Sequence, residues 1–221
     1  MSALFFGSIS TVADTSELQR RAFNEAFEAH GLGWNWSRDE YVSMLGSNGG
    51  RDRIAQFAAS RGEDVDAAAV HETKSAIFRE LLSSTSVSPR PGVVETIERA
   101  RQDGLRLGFI TTTSADNVEA VLAALAPAIG ADTFDFVVDG SAVSAGKPDP
   151  EVYRYALDKL GEDAAHAVAI EDNAGGVRAA TAAGLTCIAF PNQNTSGGDF
   201  AAAETTVDAL RPDDVVAMVK P

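Results

Sequence analysis

Length, composition and charge exclude several classes of protein. The chain has 221 residues, one cysteine and a formal net charge of −14, from 18 basic and 32 acidic side chains. Such an acidic chain repels a nucleic-acid backbone unless basic residues cluster, and here they are scattered. Cys187 alone forms neither an internal disulfide nor a thiolate zinc cluster, which fits a reducing compartment. The sequence lacks a signal-peptide pattern and any run near the roughly 20 apolar residues that cross a bilayer. We therefore expect a cytoplasmic protein that binds neither nucleic acid nor membrane.

Continuous apolar runs predict strands that are covered on both faces of a sheet. These runs lie at 3–6, 105–111, 134–138, 167–170 and 185–190. Helical patterns separate the later runs, at 92–102, 116–125, 150–160 and 174–183. Alternation of strand and helix predicts an α/β fold with a parallel sheet and right-handed crossovers.

The segment between the first and second strands reads differently. It holds no good strand pattern but has amphipathic helical patterns at 17–30, 38–45, 51–61 and 66–82. We therefore expect a helical domain at 16–88, inserted into an α/β core made of 1–15 and 89–221.

Polar residues follow several predicted strands, at the edge where ligands bind in open α/β sheets. Thr111 and Thr112 offer hydroxyl groups to an anion after the second strand, and a cluster of helix-capping residues is the alternative interpretation. Lys147 stands in the rigid sequence GKPDP and suits a phosphate. Glu171 and Asp172 follow the fourth strand, and adjacent carboxylates suit Mg²⁺.

The order of these motifs resembles the haloacid dehalogenase (HAD) superfamily, whose members mostly hydrolyse phosphate monoesters. The sequences TSELQRRAFNEAF, GLGWNWSRDEY, GGRDRIAQF and PGVVETIERAR are similar to CbbY-like phosphatases, which act on xylulose bisphosphate. The resemblance covers nearly the whole chain. It implies a HAD-like parallel sheet whose helical insertion at 16–88 is a C1 cap.

The first motif departs from this family. The family pattern FDxDGTLxDT stands here as FGSISTVADT at residues 6–15. The resemblance puts the nucleophilic aspartate at Gly7 and the aspartate that protonates the leaving group at Ile9. Glycine has no side chain to phosphorylate and isoleucine transfers no proton, so no catalytic residue of this motif is intact.

The phosphate and metal positions of the family are still occupied by suitable residues. The resemblance implies that Thr111, Thr112 and Lys147 bind phosphate. It also implies that Glu171 and Asp172 hold Mg²⁺ with help from the main-chain carbonyl at position 9. Because the family's third carboxylate is missing at position 7, we expect weakened Mg²⁺ binding.

Two residues of the cap are candidate substrate contacts. Gln19 stands where the family often has a substrate-facing histidine. Arg51 follows a glycine pair where the cap leans over the site, and is a candidate for a second phosphate. An exposed arginine at a helix start is the alternative interpretation.

Phosphate binding is expected to survive the loss of the nucleophile. A carboxylate about 5 Å from one phosphate charge repels it by roughly 3 kcal/mol at an effective dielectric near 20, so its removal favours binding without metal. The first hypothesis is therefore a degenerate phosphatase that keeps a sugar-phosphate pocket. The alternatives are a slow hydrolase that uses a metal on Glu171 and Asp172, and a regulatory binding module.

Overall fold

We describe residues 2–46 and 49–219 of the chain in a computed structural model. The strands of the described part form one parallel sheet in the order β3-β2-β1-β4-β5-β6. Their bounds are Ala3–Phe6 (β1), Arg106–Ile110 (β2), Phe136–Val138 (β3), Ala167–Glu171 (β4), Thr186–Ala189 (β5) and Thr205–Thr206 (β6). The first five were predicted, and β6 was missed because two threonines carry no apolar run.

The helices lie close to their predicted positions, and two short ones were missed. Their bounds are Ile9–Val12 (α1), Ser16–Ala29 (α2), Arg38–Ser43 (α3), Gly50–Arg61 (α4), Ala67–Ser84 (α5), Val93–Gln102 (α6), Ala115–Leu125 (α7), Glu151–Leu160 (α8), Ala174–Ala182 (α9) and Pro212–Met218 (α10). Helices α1 and α10 were not predicted, because four and seven residues are too few for a clear period.

Apolar layers cover both faces of the sheet. Successive side chains of a strand point to opposite faces, so Leu4 and Phe6 of β1 pack in one layer while Ala3 and Phe5 pack in the other. The first layer includes residues of α6, α7 and α10, and the second includes residues of α8 and α9. The predicted parallel α/β fold is confirmed.

Helices α2 to α5 lie between β1 and β2 in the chain, and we call these four helices the cap. They share an apolar core of their own, in which Phe23, Phe27, Trp36 and Tyr41 are buried. Helix α5 packs against α2 and α4 and also against α7 of the sheet domain. The domain boundaries at 16 and 88 stay a prediction.

Within the described ranges, every helix is too short or too polar to cross a bilayer.

Candidate active site

Three strand ends meet at one edge of the sheet. Strand β1 lies between β2 and β4, and Phe6 is in register with a residue of each neighbour. Gly7 follows β1, Thr111 follows β2, and Glu171 is the last residue of β4. Because parallel strands end at the same edge, the fold brings these three distant segments together where ligands bind in α/β proteins.

A cavity of about 900 Å³ lies between this edge and the cap. It is lined by six of the predicted phosphate, substrate and metal residues, namely Gln19, Arg51, Thr111, Thr112, Lys147 and Asp172. Gly7 and Ile9 also line it, whereas Glu171 does not. The structure therefore gathers all but one of the predicted side chains around a single space.

Glu171 is fully buried beneath the floor of this cavity. Its Oε1 accepts a hydrogen bond from the Tyr153 hydroxyl at 2.6 Å and one from Lys147 Nζ at 2.6 Å. Its Oε2 is buried without a hydrogen-bond partner among the described residues. Burial raises the pKa of Glu171, and the Lys147 charge opposes that shift. The hydrogen bonds of this carboxylate are thus made to buried side chains of the protein, Lys147 and Tyr153.

The space beside Gly7 is already filled by these groups. A Cβ atom at position 7 would overlap the Glu171 carboxyl group and the Tyr153 hydroxyl. A Cβ at Gly176, at the start of α9, would overlap the same carboxyl group. Two glycines therefore make the room in which the Glu171 side chain lies. The region where the resemblance puts a nucleophile holds another residue's carboxylate.

Lys147 is buried and all three of its N–H groups have acceptors. It donates to the Gly7 carbonyl oxygen, to the Ile110 carbonyl oxygen at 2.8 Å and to Glu171 at 2.6 Å. A phosphate oxygen that binds Lys147 must replace one of these acceptors. Its positive charge is also largely balanced by Glu171, so other cations of the cavity matter more for attracting an anion.

Asp172 faces the cavity but its carboxylate oxygens also have partners. Oδ1 accepts hydrogen bonds from the Ser8 hydroxyl at 2.5 Å and from the Asn173 amide at 3.0 Å. Oδ2 accepts one from the Asn192 amide at 3.0 Å. Neutral donors therefore hold this carboxylate in a single orientation.

Ile9 lines the cavity but is mostly buried. Its side chain is 6% exposed and packs in the apolar layer beneath α1. Its carbonyl oxygen accepts the N–H of Ala13 at 3.1 Å, which closes the single turn of α1. The side chain at the position where the resemblance puts a proton donor is therefore part of the core.

In this arrangement the residues do not fit Mg²⁺, which requires several oxygen ligands around one point. Among the described residues, no three His, Cys, Asp or Glu side chains are grouped as metal ligands. Glu171 points into the protein and the Ile9 carbonyl is used by α1. The metal role predicted for Glu171, Asp172 and the Ile9 carbonyl stays a prediction.

The cap wall of the cavity carries positive charge. Arg51 is exposed and its Nε lies 3.4 Å from Asp52, whereas Arg53 is buried over the Phe23 and Tyr41 rings. Burial, with help from nearby cations, lowers the pKa of His71 to about 4, so the ring is neutral at neutral pH.

Gln19 accepts a hydrogen bond from Lys74, a residue that the sequence did not indicate as part of the site. Lys74 of α5 is 5% exposed and donates a hydrogen bond to the Gln19 side-chain oxygen. Its Nζ lies 4.8 Å from the Phe23 ring centroid and 5.0 Å from that of Phe78. The signal in the sequence was a lysine on the apolar stripe of an amphipathic helix, where a charged residue is unexpected.

Tyr153 was also missed, because a tyrosine on the buried face of α8 looks like an ordinary core residue. The ring stacks near Phe5, at 6.4 Å between centroids, while its hydroxyl reaches Glu171. Burial raises the pKa of Tyr153 well above its usual value, so the hydroxyl stays a donor.

The charges around the cavity differ from those of the chain as a whole. The basic side chains that line it are Arg51, Arg53, Lys74, Arg79 and Lys147, and the acidic ones are Asp52, Glu72, Asp116 and Asp172. Basic and acidic side chains are thus nearly equal in number here, whereas the whole chain has 18 basic and 32 acidic residues. The cavity therefore repels an anion less than the rest of this acidic protein does.

Comparisons with known proteins agree with the resemblance. The haloacid dehalogenase-like hydrolase family matches residues 10–190. Protein CbbY of Rhodobacter capsulatus is 39% identical over 213 residues, which cover 95% of this chain and 94% of that protein.

Solved structures give the same result. The crystal structure of CbbY from Rhodobacter sphaeroides in complex with phosphate matches with a TM-score of 0.87 and 39% identity, over 95% of this chain and 94% of that one. A mutant of the same protein in complex with xylulose-(1,5)bisphosphate matches with the same TM-score, identity and coverage.

Proposed function

The chain belongs to the haloacid dehalogenase-like hydrolase family, and from this premise we propose that it binds a phosphorylated sugar without hydrolysing it. One observation carries the proposal. The space that a nucleophile at position 7 needs is filled by Glu171 and Tyr153, while the cavity beside it keeps hydroxyl groups and cations. The chain therefore keeps the phosphate-binding part of the site and lacks the nucleophile for the covalent step.

The loss of chemistry follows from the residues at two positions. Gly7 has no atom that can attack phosphorus, and the buried Ile9 side chain cannot protonate a leaving group. Water would have to attack directly, without a covalent intermediate and without an acid. Such a route is slower by orders of magnitude. The family match begins at residue 10, directly after these two positions, which is consistent with a first motif that has diverged.

The retained cavity supports phosphate as the ligand group. Thr111 and Thr112 line its floor beside Lys147, and a phosphate there can accept hydrogen bonds from hydroxyl groups. Arg51 and Arg53 of the cap line the opposite wall, and the cap cations suit a second anionic group. A sugar with a phosphate at one or both ends fits this distribution of charge. The xylulose-(1,5)bisphosphate of the related CbbY complex is a compound of this kind.

No step of this proposal uses a metal, because the donor set described above does not suit Mg²⁺. The proposal therefore predicts phosphate binding in the presence of a metal chelator. It also predicts that added Mg²⁺ changes the affinity little.

Calorimetry and a turnover assay test the proposal together. We expect inorganic phosphate to bind in the presence of chelator, and Thr112→Val to weaken that binding by about tenfold through the loss of one hydrogen bond to a charged group. Thr181→Val is the matched control, because the Thr181 hydroxyl donates to Val177 of its own helix at 2.9 Å. Absence of phosphate binding, or binding that requires Mg²⁺, contradicts the proposal.

Hydrolysis is measured with p-nitrophenyl phosphate and Mg²⁺. We expect the same background rate for the native chain and for Asp172→Asn. A native rate well above that of Asp172→Asn would instead support the slow metal-dependent hydrolase.

A further inference from the structure

Lys74 is a buried amine that lines the cavity, and within 2–46 and 49–219 it has no carboxylate partner. It is 5% exposed and lines the cavity wall on α5. Among the described residues, no carboxylate oxygen lies within ion-pair distance of its Nζ, and its hydrogen-bond acceptor is the neutral amide of Gln19. Buried lysines are normally paired, so this arrangement calls for an explanation.

The surroundings of Lys74 disfavour the charged form of its amine. Burial, with the Arg53 guanidinium nearby, lowers the pKa of Lys74 to about 7. His71, one turn away on the same helix, is uncharged at neutral pH and therefore adds no charge to the surroundings of Lys74. A large fraction of Lys74 is therefore an unprotonated primary amine at neutral pH. Such an amine is a nucleophile toward carbonyl carbon.

The other lysine of the cavity provides an internal comparison. Lys147 donates to Glu171 and to two backbone carbonyl oxygens, so its nitrogen has no free lone pair to offer. Lys74 has one amide acceptor and two aromatic rings. The same cavity thus holds one lysine in an ion pair and one that is suited to attack an electrophile.

We propose that Lys74 forms a reversible imine with the carbonyl group of a small phosphorylated aldehyde or ketone held in the cavity. This inference rests on the proposed function, because the phosphate-binding residues deliver the carbonyl compound to the amine. The class of ligand is an open-chain sugar phosphate, which carries a phosphate at one end and a carbonyl group on the same chain.

The step is balanced without any further reactant. The Nζ lone pair attacks the carbonyl carbon, a C–N bond forms, and the C–O π electrons move to oxygen, which takes a proton. The proton on that oxygen comes from the attacking nitrogen. The carbinolamine hydroxyl then takes one proton from solvent and leaves as water, so that a protonated C=N bond remains, and hydrolysis reverses the sequence and returns that proton to solvent. The Phe23 and Phe78 rings stabilise the resulting cation through cation–π contacts.

Gln19 has a specific part in this arrangement. Its amide oxygen accepts a hydrogen bond from Lys74 but brings no negative charge. A carboxylate in the same place would favour the ammonium form and suppress attack. Gln19 is therefore a positioning residue, and Gln19→Glu tests the inference with almost no change of shape.

The experiment uses D-glyceraldehyde 3-phosphate as probe and sodium borohydride, which reduces an imine to a stable secondary amine. The chain has four lysines, Lys74, Lys147, Lys159 and Lys220, so peptide mapping by mass spectrometry locates any adduct. At pH 7 a pKa near 7 leaves about a thousandfold more free amine than an ordinary lysine has. We expect at least about tenfold more adduct on Lys74 than on Lys159.

The variants make the result specific. Lys74→Met is expected to lose the adduct, whereas Lys159→Met keeps it, since Lys159 lies over the Tyr155 ring on a different helix. Gln19→Glu is expected to lower trapping at pH 7 at least about tenfold and to regain it at higher pH. Equal labelling of Lys74 and Lys159, or trapping that is unchanged in Gln19→Glu, overturns the inference.

Unphosphorylated D-glyceraldehyde separates this inference from the proposed function. Strong trapping by the phosphate ester and weak trapping by D-glyceraldehyde supports both. Equal trapping of the two on Lys74 supports the reactive amine and overturns the phosphorylated ligand. Calorimetric binding of phosphate with no adduct on Lys74 overturns the imine alone.

Discussion

Two buried lysines line the cavity, and they differ in their neighbours. On the sheet side, Lys147 lies 2.6 Å from the Glu171 carboxylate. On the cap side, Lys74 meets the Gln19 amide and the faces of Phe23 and Phe78. Lys147 is 7% exposed and Lys74 is 5% exposed, so burial alone does not distinguish them. The two lysines therefore differ in their partners: Lys147 is in an ion pair with a carboxylate, whereas Lys74 has a neutral amide as its hydrogen-bond acceptor.

The difference follows from how a protein compensates the desolvation of a charge. An opposite charge with good geometry compensates it on the sheet side, and the remaining N–H groups find carbonyl oxygens. On the cap side no carboxylate of the described residues lies within ion-pair distance of Lys74, and its pKa is lowered instead. The same substitution at the two positions should therefore have opposite effects on stability.

Lys147→Met should have the largest effect. Removal of the ammonium leaves the Glu171 carboxylate buried without its cation, and such a loss destabilises a protein by about 3–5 kcal/mol. Urea unfolding at pH 7, followed by circular dichroism, measures the change. The double variant with Glu171→Gln should regain part of the loss, and a single-variant effect below about 1 kcal/mol would mean that the ion pair contributes little.

Gly7→Ala should have the next largest effect, because it tests how tightly the sheet side is packed. The new Cβ overlaps the Glu171 carboxyl group and the Tyr153 hydroxyl, and overpacking of this kind costs about 1–3 kcal/mol. Gly33→Ala is the matched control, since a Cβ there meets nothing within 4 Å. Similar unfolding midpoints for the two variants would show that Glu171 and Tyr153 move aside easily.

An aspartate at position 7 meets the same overlap. The double variant Gly7→Asp with Ile9→Asp is therefore expected to restore hydrolysis only if the Glu171 and Tyr153 side chains shift.

Lys74→Met should have the smallest effect and the opposite sign. The folded pKa of about 7 lies below the ordinary value of 10.5, so the unfolded chain binds more protons between these pH values. Below pH 7 the folded native chain carries the full cost of the buried charge, and the cost fades as pH rises from 7 to 10.5. We expect Lys74→Met to be about 1 kcal/mol more stable at pH 6, with a gain that shrinks above pH 7. Unfolding curves at pH 6 and pH 9 check this, and a loss of stability at pH 6 would contradict a lowered pKa.

Much of the fold could be predicted from the sequence because its signals are local. The five longer strands are apolar runs, and the cap helices show amphipathic periods, so both were found within a few residues. The elements that were missed, α1, β6 and α10, span four, two and seven residues and carry too little pattern. Their positions depend on contacts with the rest of the sheet.

The sequence was enough to predict which residues follow the strands at the candidate site, but not where their side chains point. The order of motifs predicts phosphate-binding and metal-binding roles for Thr111, Lys147 and Asp172. All three line one cavity, and their roles stay predictions. The order of motifs could not indicate that Glu171 turns away from that cavity, because the direction of a side chain depends on the volume and partners around it. Lys74 was overlooked although it stands on the apolar stripe of its helix, because its contact with Gln19 and its place in the cavity wall exist only in the folded chain.

The sequence by itself determined that no carboxylate stands at positions 7 and 9, and that hydroxyl groups and a lysine follow the strands. Those are statements about residue identity, which no folding changes. Only the tertiary structure decided what fills the space beside Gly7 and which buried lysine has an acidic neighbour. Tyr153, Glu171 and Lys147 come from different segments, and their proximity exists only after β1 and β4 pair and α8 packs on the sheet. The electrostatics of the cavity follow from that packing, because the pKa of a buried group depends on the charges and dipoles within a few ångströms of it.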